Sequence, residues 1–421
     1  MFSIPVVMLR LLFILIQGVF IIGVAPVFSR LFLAGADKKY SPSAPRSYVR
    51  VAVLLPFHRE HEISIMRTAR SITNQTYPPE LITIYLLVEN GDMITGSAIP
   101  LLLALFRSRG MNIRVIYTES SYIGKPRALN QALPHIKEEV IIIFDADDMV
   151  PENYISSAVL EIVNGAAAVT TKVYRVGNRL HSRFLALDTF IWYDIYLPVY
   201  MKLVGYAPMS GEGLTVRRDV LEKIGGFPES LTEDAYLTLE LAKLGEKMFY
   251  LNSVFIIERS PFSFTALLKQ RIRWFKGYYE CITAIVKQSG IIGYMRTPGL
   301  LITYMGPIIS MATTASYTIL FMYLFGALFG INPVVNLIEK AISGYVYYLA
   351  AFMFFGGNLF ITAVIIYHFS DTRLESYTPY IYLAFAYWYI IGLVAFVSLF
   401  SPRKWYKTER IHHATPEKNQ R

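Results

Sequence analysis

Val140-Ile141-Ile142-Ile143-Phe144-Asp145-Ala146-Asp147-Asp148 runs an unbroken apolar segment straight into three carboxylates. An apolar run this short, rich in β-branched residues, fits a strand buried on both faces of a parallel sheet. Asp145 and Asp147 then fall at its carboxyl end, where open α/β sheets gather their ligands. Charge at the tip of a buried strand is costly unless it is paired or bound to metal. A hard cation such as Mg²⁺ or Mn²⁺, held by one or two carboxylates and completed by phosphate oxygens, satisfies that arrangement. An acidic turn capping the next helix would present the same residues.

Working outward, 51–55, 82–88 and 113–117 repeat the pattern, each apolar on nearly every position and separated by helical or polar stretches. This is the rhythm of βαβ units, so residues 50–260 are expected to form an α/β, Rossmann-like domain on a mostly parallel sheet.

The rest of the chain is more apolar than a soluble enzyme requires. Of 421 residues, 54% are hydrophobic, and the mean hydropathy is positive, which places part of the protein in lipid. Residues 1–34 read as a retained transmembrane helix, too long for a signal-peptide core. Lys38, Lys39, Arg46 and Arg50 follow it and put the next domain in the cytoplasm, where nucleotide sugars are made. In such a protein the net charge of +9 marks cytoplasmic flanks and lipid headgroups rather than nucleic acid. Segment 261–298 mixes aromatic, apolar and basic residues as interfacial amphipathic helices do. Within 299–402 three apolar stretches, 300–329, 345–369 and 380–400, are each long enough for a ~30 Å hydrocarbon core. Three crossings would carry the basic tail 403–421 away from the catalytic side, against the positive-inside expectation. Either that rule is broken here or a segment such as 291–320 is not a simple crossing. The single cysteine, Cys281, excludes an intramolecular disulfide or a multi-thiolate zinc site.

Two further clusters carry chemistry. In Leu231-Thr232-Glu233-Asp234-Ala235, Thr232 reads as an N-cap and Leu237, Leu241 and Leu244 as an apolar helical face. Acids in a first turn are stabilised by the helix dipole alone, yet a carboxylate there can also accept a proton from an incoming hydroxyl. In Gln270-Arg271-Ile272-Arg273-Trp274, helical spacing puts Gln270, Arg273 and Trp274 on one face. Such a face could bind phosphate and stack a sugar, or anchor a basic helix at headgroups.

The order and spacing of Pro56-Phe57-His58-Arg59-Glu60, Gly124-Lys125-Pro126-Arg127-Ala128-Leu129-Asn130, Asp145-Ala146-Asp147, Arg217-Arg218-Asp219 with Ile224-Gly225-Gly226-Phe227, Thr232-Glu233-Asp234 and Gln270 through Trp274 resemble the family 2 inverting glycosyltransferases of GT-A fold. The similarity is to the membrane-integrated cellulose-synthase-like group, compact archaeal mannosyltransferases of lipid-linked glycans among them. It extends over about residues 51–277.

The resemblance implies that Pro56, Glu60 and Glu89 lie on the nucleoside side, and that Lys125 and Arg127 hold nucleotide and diphosphate. It makes Asp145 the first acid of the metal-associated motif and Asp147 the main ligand of Mn²⁺ or Mg²⁺. Asp234, beside Glu233, becomes the general base; Gln270 and Arg273 border the diphosphate, and Trp274 the acceptor. Two departures stand out: His58-Arg59 replaces an aromatic-Asn pair, and Glu89-Asn90 replaces paired aspartates. The implied function is inverting transfer of a sugar, mannose from GDP-mannose foremost and a UDP-sugar next, to a polyprenyl- or dolichyl-linked glycan at the cell membrane. A processive polysaccharide synthase using a UDP-sugar would need more helices around a channel. A non-catalytic scaffold or transporter fits poorly with intact Asp147, Asp234 and Trp274 and with the few charges in the apolar helices.

Overall fold

The computed structural model describes residues 47–119, 124–294, 303–341, 380, 383–405 and 407–408, with scattered positions before residue 30. Most of 1–34 and all of 345–369 therefore lie outside the described residues.

Seven strands form one sheet in the order β3-β2-β1-β4-β6-β5-β7. They are β1 (Val51–Phe57), β2 (Ile82–Glu89), β3 (Asn112–Thr118), β4 (Val140–Ile143), β5 (Ala168–Val176), β6 (Leu214–Arg217) and β7 (Met248–Arg259). β6 runs antiparallel to β4 and β5, and every other pairing is parallel. The sheet is thus the mostly parallel GT-A-like one that the sequence implies. Alternation sorts its side chains into two cores: Val140, Ile142 and Phe144 join one, Ile141 and Ile143 the other. β3 departs from the expected double burial, with Tyr117 62% exposed. It is the edge strand, and its outer side lacks a covering neighbour.

Register sets the site. β1 pairs with β4 from Val51↔Val140 to Leu54↔Ile143, so β1 outruns β4 and carries Pro56, Phe57 and then His58 past the start of the acidic turn. β2 ends level with it, Phe57 opposite Val88, which brings Glu89 beside His58.

The helices used below are α1 (Lys125–Ala132), α2 (Glu233–Lys243), α3 (Phe264–Tyr294), α4 (Gly306–Leu328) and α5 (Ala384–Phe400). Thr232 stands at the N-cap position of α2, but its side chain makes no capping bond. Leu237 and Leu241 are buried, whereas Leu244, past the last turn, is half exposed. α3 crosses the start of α2 so closely that a Cβ on Gly277 would lie 2.1 Å from Thr232 Oγ1. Only glycine permits that approach, and it holds the Gln270 to Trp274 face against Glu233 and Asp234.

Among the described residues α4 is the one helix long and apolar enough to cross a membrane. It packs beside α5, with Thr314 Oγ1 donating to the Tyr389 carbonyl at 3.0 Å. Phe321, Met322 and Phe325 of α4 and Phe396, Val397 and Phe400 of α5 point outward. The start of the basic tail, whose side of the membrane the sequence leaves open, lies against the catalytic unit: Arg403 Nε meets Glu280 Oε1 at 2.8 Å, and Lys407 Nζ meets Glu60 Oε1 at 2.9 Å.

Asn130 on α1 clamps the turn at Gly225-Gly226-Phe227. Its Nδ2 donates to the Phe227 carbonyl at 2.8 Å and its Oδ1 accepts from Phe227 N at 2.7 Å. Asn130→Ala leaves both backbone groups unmatched and is expected to cost about 2 kcal/mol, read as a lowered midpoint in thermal or denaturant unfolding.

Candidate active site

The turn after β4 is fixed by its own atoms: Asp145 N donates to Asp148 Oδ2 at 2.8 Å. Burial pushes the Asp148 carboxyl well above the usual range, and Asp145 and Asp147 push it further. Asp145 and Asp147 are the acids that this turn presents outward. Both line a cavity of about 660 Å³ that also receives the ends of β1 and β2, α1, the start of α2 and the Gln270 to Trp274 face.

Pro56, Glu60, Glu89, Lys125, Asp145, Asp147, Glu233, Asp234, Gln270, Arg273 and Trp274 all reach this cavity. Arg127 does not: its side chain turns outward, with NH2 3.9 Å from Glu119 Oε2. The reason is helical spacing, since Lys125 and Ala128 take the inward face of α1.

At the centre, Lys125 Nζ lies 2.7 Å from Asp145 Oδ1, 3.6 Å from Glu233 Oε1 and 3.4 Å from the Gly211 carbonyl. Burial works against its charge, but Asp145, Glu233 and Glu212 outweigh it and raise the ammonium above its ordinary value. Beneath it lies a network that sequence reading missed. Arg175 of β5 bonds Glu212 Oε1 at 2.7 Å and Glu258 Oε2 of β7 at 2.5 Å. Burial would raise the Glu212 carboxyl; Arg175 overrides it and lowers the group to about 2. Glycines flanking the acid in Ser210-Gly211-Glu212-Gly213 were the one local signal for it.

Asp234 stands apart from these pairs. Its Oδ1 accepts from the Ala235 N–H at 2.8 Å, but burial, followed by the like charges of Glu233 and Glu212, raises its carboxyl to about 7. A carboxyl so placed can exchange a proton near neutrality. Across from it, Arg273 NH1 donates to the Leu231 carbonyl at 3.1 Å. Arg273 Nε and Gln270 Oε1 are buried with no hydrogen-bond partner of their own among the described residues. The Trp274 ring lies beneath the guanidiniums of Arg271 and Arg175, 4.8 and 5.3 Å from its centroid. Arg271 was another omission from the sequence reading; Asp188 anchors it at 2.7 Å.

No cluster of three or more His, Cys, Asp or Glu side chains suited to a metal is present among the described residues. Two hard carboxylates on a roomy polar wall nonetheless match Mg²⁺ or Mn²⁺, which take one or two protein oxygens and fill their shell with water and phosphate. Part of the cavity wall is aromatic and apolar, with Trp192, Tyr196, Tyr200, Tyr304 and Ile309 in its lining. The helix carrying Trp192 and Tyr196 widens to π geometry over Ile191–Tyr196, a distortion often found at functional sites.

Residues 49–277 match the family model described as glycosyltransferase like family 2. The chain is 26% identical to a probable glycosyltransferase, YdaM, of Bacillus subtilis, over 57% of this chain and 57% of that protein. It is 27% identical to a β-monoglucosyldiacylglycerol synthase of Trichormus variabilis, over 63% of this chain and 55% of the relative. It thus spans little more than half the length of these relatives. Among solved structures, the mannosyltransferase PcManGT of Pyrobaculum calidifontis, determined with GDP-Man and Mn²⁺, superposes with a TM-score of 0.57 at 19% identity, covering 91% of this chain and 99% of that one.

The raised Asp234 carboxyl has a consequence for stability. A group whose value rises on folding stabilises below its unfolded pKa and loses that contribution as pH climbs through the folded value. For Asp234 the window runs from its ordinary value of 3.8 up to about 7. Asp234→Asn is therefore expected to raise the unfolding temperature at pH 8 and to change it little at pH 4, measured by scanning calorimetry at both.

Proposed function

Since the chain belongs to the glycosyltransferase like family 2, whose members act on nucleotide-sugar donors, we propose that it transfers a hexose with inversion to a lipid-linked glycan, GDP-mannose being the favoured donor. The observation that carries this reading is the convergence of Asp234, Lys125, Asp145 and Arg273 on a single cavity. An acid that can accept a proton stands there opposite cations suited to a diphosphate.

In this reading Pro56, Glu60 and Glu89 border the nucleoside, and Lys125 with Arg273 binds diphosphate oxygens. Arg273 Nε and Gln270 Oε1, without hydrogen-bond partners among the described residues, would gain them from the donor. Asp147, with Asp145, would hold Mn²⁺ or Mg²⁺, which would neutralise diphosphate charge when bound. Asp234 takes the proton of the acceptor hydroxyl. The hydroxyl oxygen bonds to the anomeric carbon from the face opposite the diphosphate, the bond from that carbon to the diphosphate oxygen breaks, and the configuration inverts. Glu233 keeps Lys125 in place and raises the basicity of Asp234. Trp274, held under two guanidiniums, offers its remaining edge to the acceptor.

A lipid-linked acceptor is favoured by the aromatic part of the cavity wall. Tyr304 and Ile309 on that wall belong to or adjoin α4, the apolar helix proposed to sit in the membrane, and the outward Phe321, Phe325, Phe396 and Phe400 would face lipid. The name of the T. variabilis relative describes a glucosylated lipid product, in keeping with this. GDP-mannose is preferred because the solved neighbour of like fold was determined with it. With the catalytic unit cytoplasmic, donor would enter from water and acceptor from the bilayer.

Two outcomes test the reading. Asp234→Asn is expected to bind donor within about twofold of wild type while transfer falls by 10²-fold or more, and wild-type kcat/KM is expected to rise as pH climbs through about 7. Full activity in that variant would remove Asp234 as base. In a thermal-shift panel of GDP- and UDP-sugars, GDP-mannose with Mn²⁺ is expected to stabilise most, and saturating EDTA to abolish both transfer and the metal-dependent part of the shift.

A further inference from the structure

Beyond α5 the chain turns back onto the catalytic unit, and Trp405, Lys407 and Thr408 join the lining of the cavity. Arg403 opens the return, pairing with Glu280 at 2.8 Å and donating to the Glu229 carbonyl at 2.7 Å. Trp405 packs flat against the glycine that starts α1: a Cβ on Gly124 would fall 2.8 Å from Trp405 Cδ2 and 2.9 Å from Cε2. Its indole meets the His58 ring edge-on, 5.6 Å between centroids. Lys407 Nζ then lies 2.6 Å from the His58 carbonyl, 2.7 Å from that of Arg59 and 2.9 Å from Glu60 Oε1, which uses all three of its protons. Thr408 Oγ1 sits 3.4 Å from Gln270 Nε2.

These anchors are not those of a trailing end. Among the described residues Arg59 is the one non-glycine with a left-handed backbone, φ 52°. That conformation is strained for a side-chain-bearing residue and persists only where surroundings hold it. Asp92 Oδ2 holds its N–H at 2.6 Å, and Lys407 holds its carbonyl. The tail thereby fixes the turn that carries His58 and Glu60, and sets the Trp405 ring beside it in the cavity lining.

We propose that Trp405 and Lys407 form the nucleoside wall of the donor site, Trp405 as the flat surface on which the base packs and Lys407 as the positioning residue that locks the β1 turn beneath it. The inference rests on the reading of the cavity as a nucleotide-sugar site. The ligand class it adds is a nucleobase, recognised by its π-face, and not the phosphates or the sugar.

The test is titration calorimetry on the full-length protein with Mn²⁺, using GDP, UDP and inorganic diphosphate. Relative to wild type, Trp405→Ala is expected to weaken both nucleoside diphosphates by about 5- to 100-fold while inorganic diphosphate stays within about twofold, because base–aromatic stacking is what is lost. Trp405→Phe restores most of the affinity, and Lys407→Met shifts nucleotide affinity in the same direction as Trp405→Ala; the latter variant keeps the test open should Trp405→Ala fail to fold. Nucleotide binding unchanged in both Trp405→Ala and Lys407→Met, or an equal loss of inorganic diphosphate, overturns the inference and leaves the donor site standing. Wild-type protein that binds neither nucleoside diphosphate would instead overturn the reading of the cavity itself.

Discussion

The Lys125 ammonium, buried among Asp145, Glu233 and Glu212, is the contact on which the site depends. A cavity that collects this many carboxylates cannot exist without positive charge inside it, because each unpaired buried ion costs several kcal/mol. Lys125 answers three acids at once, Arg175 answers Glu212 and Glu258 below it, and burial with its acidic neighbours raises the Asp148 carboxyl above its usual range. Asp234 is the acid left least compensated: burial first, then Glu233 and Glu212, raises its carboxyl against the lowering by Lys125 and its own bond from Ala235 N–H. Its chemistry follows from that arrangement of charge rather than from any special property of the residue. Removing Lys125 would lift several acids together, so its loss cannot be read as the loss of a phosphate contact alone.

The order of the sheet is what brings these charges together. Lys125 opens α1, Asp145 follows β4, Glu212 precedes β6 and Glu233 opens α2. Four segments distant in sequence deliver charge to one point because β1 and β4 run side by side from a common start and α3 passes over α2 at Gly277. Asn130 adds the tie that keeps α1 at a fixed height above the glycine turn.

Much of this was legible in the sequence. β1, β2 and β4 announce themselves because continuous apolar runs occur where both faces are covered, and acids placed directly after such a run must lie at a sheet edge. β3 carried nearly the same signal and is half exposed, since position in the sheet is set by pairing and not by the strand's own residues. Arg175 and Glu258 were invisible for a related reason: each is one charged residue in an ordinary strand, and only the pairing of β5 with β7, Arg175 opposite Glu258, turns them into a network. Arg127 was misleading because a motif gives spacing along the chain, while the face of α1 that turns inward is chosen by packing. Trp405 was hidden by its setting, a basic tail that by composition reads as a membrane flank.

That tail also bears on how the molecule can sit in a bilayer. A segment whose Arg403 and Lys407 bind Glu280 and Glu60 lies beside the catalytic unit, an arrangement that agrees with the positive-inside expectation and would call for an even number of crossings between α3 and the tail. The cavity is lined both by aromatic residues beside α4 and by the chain that emerges from α5, where Trp405, Lys407 and Thr408 stand. Arg403, Trp405 and Lys407 thus tie the end of α5 to the β1 turn by a route that does not pass through the sheet.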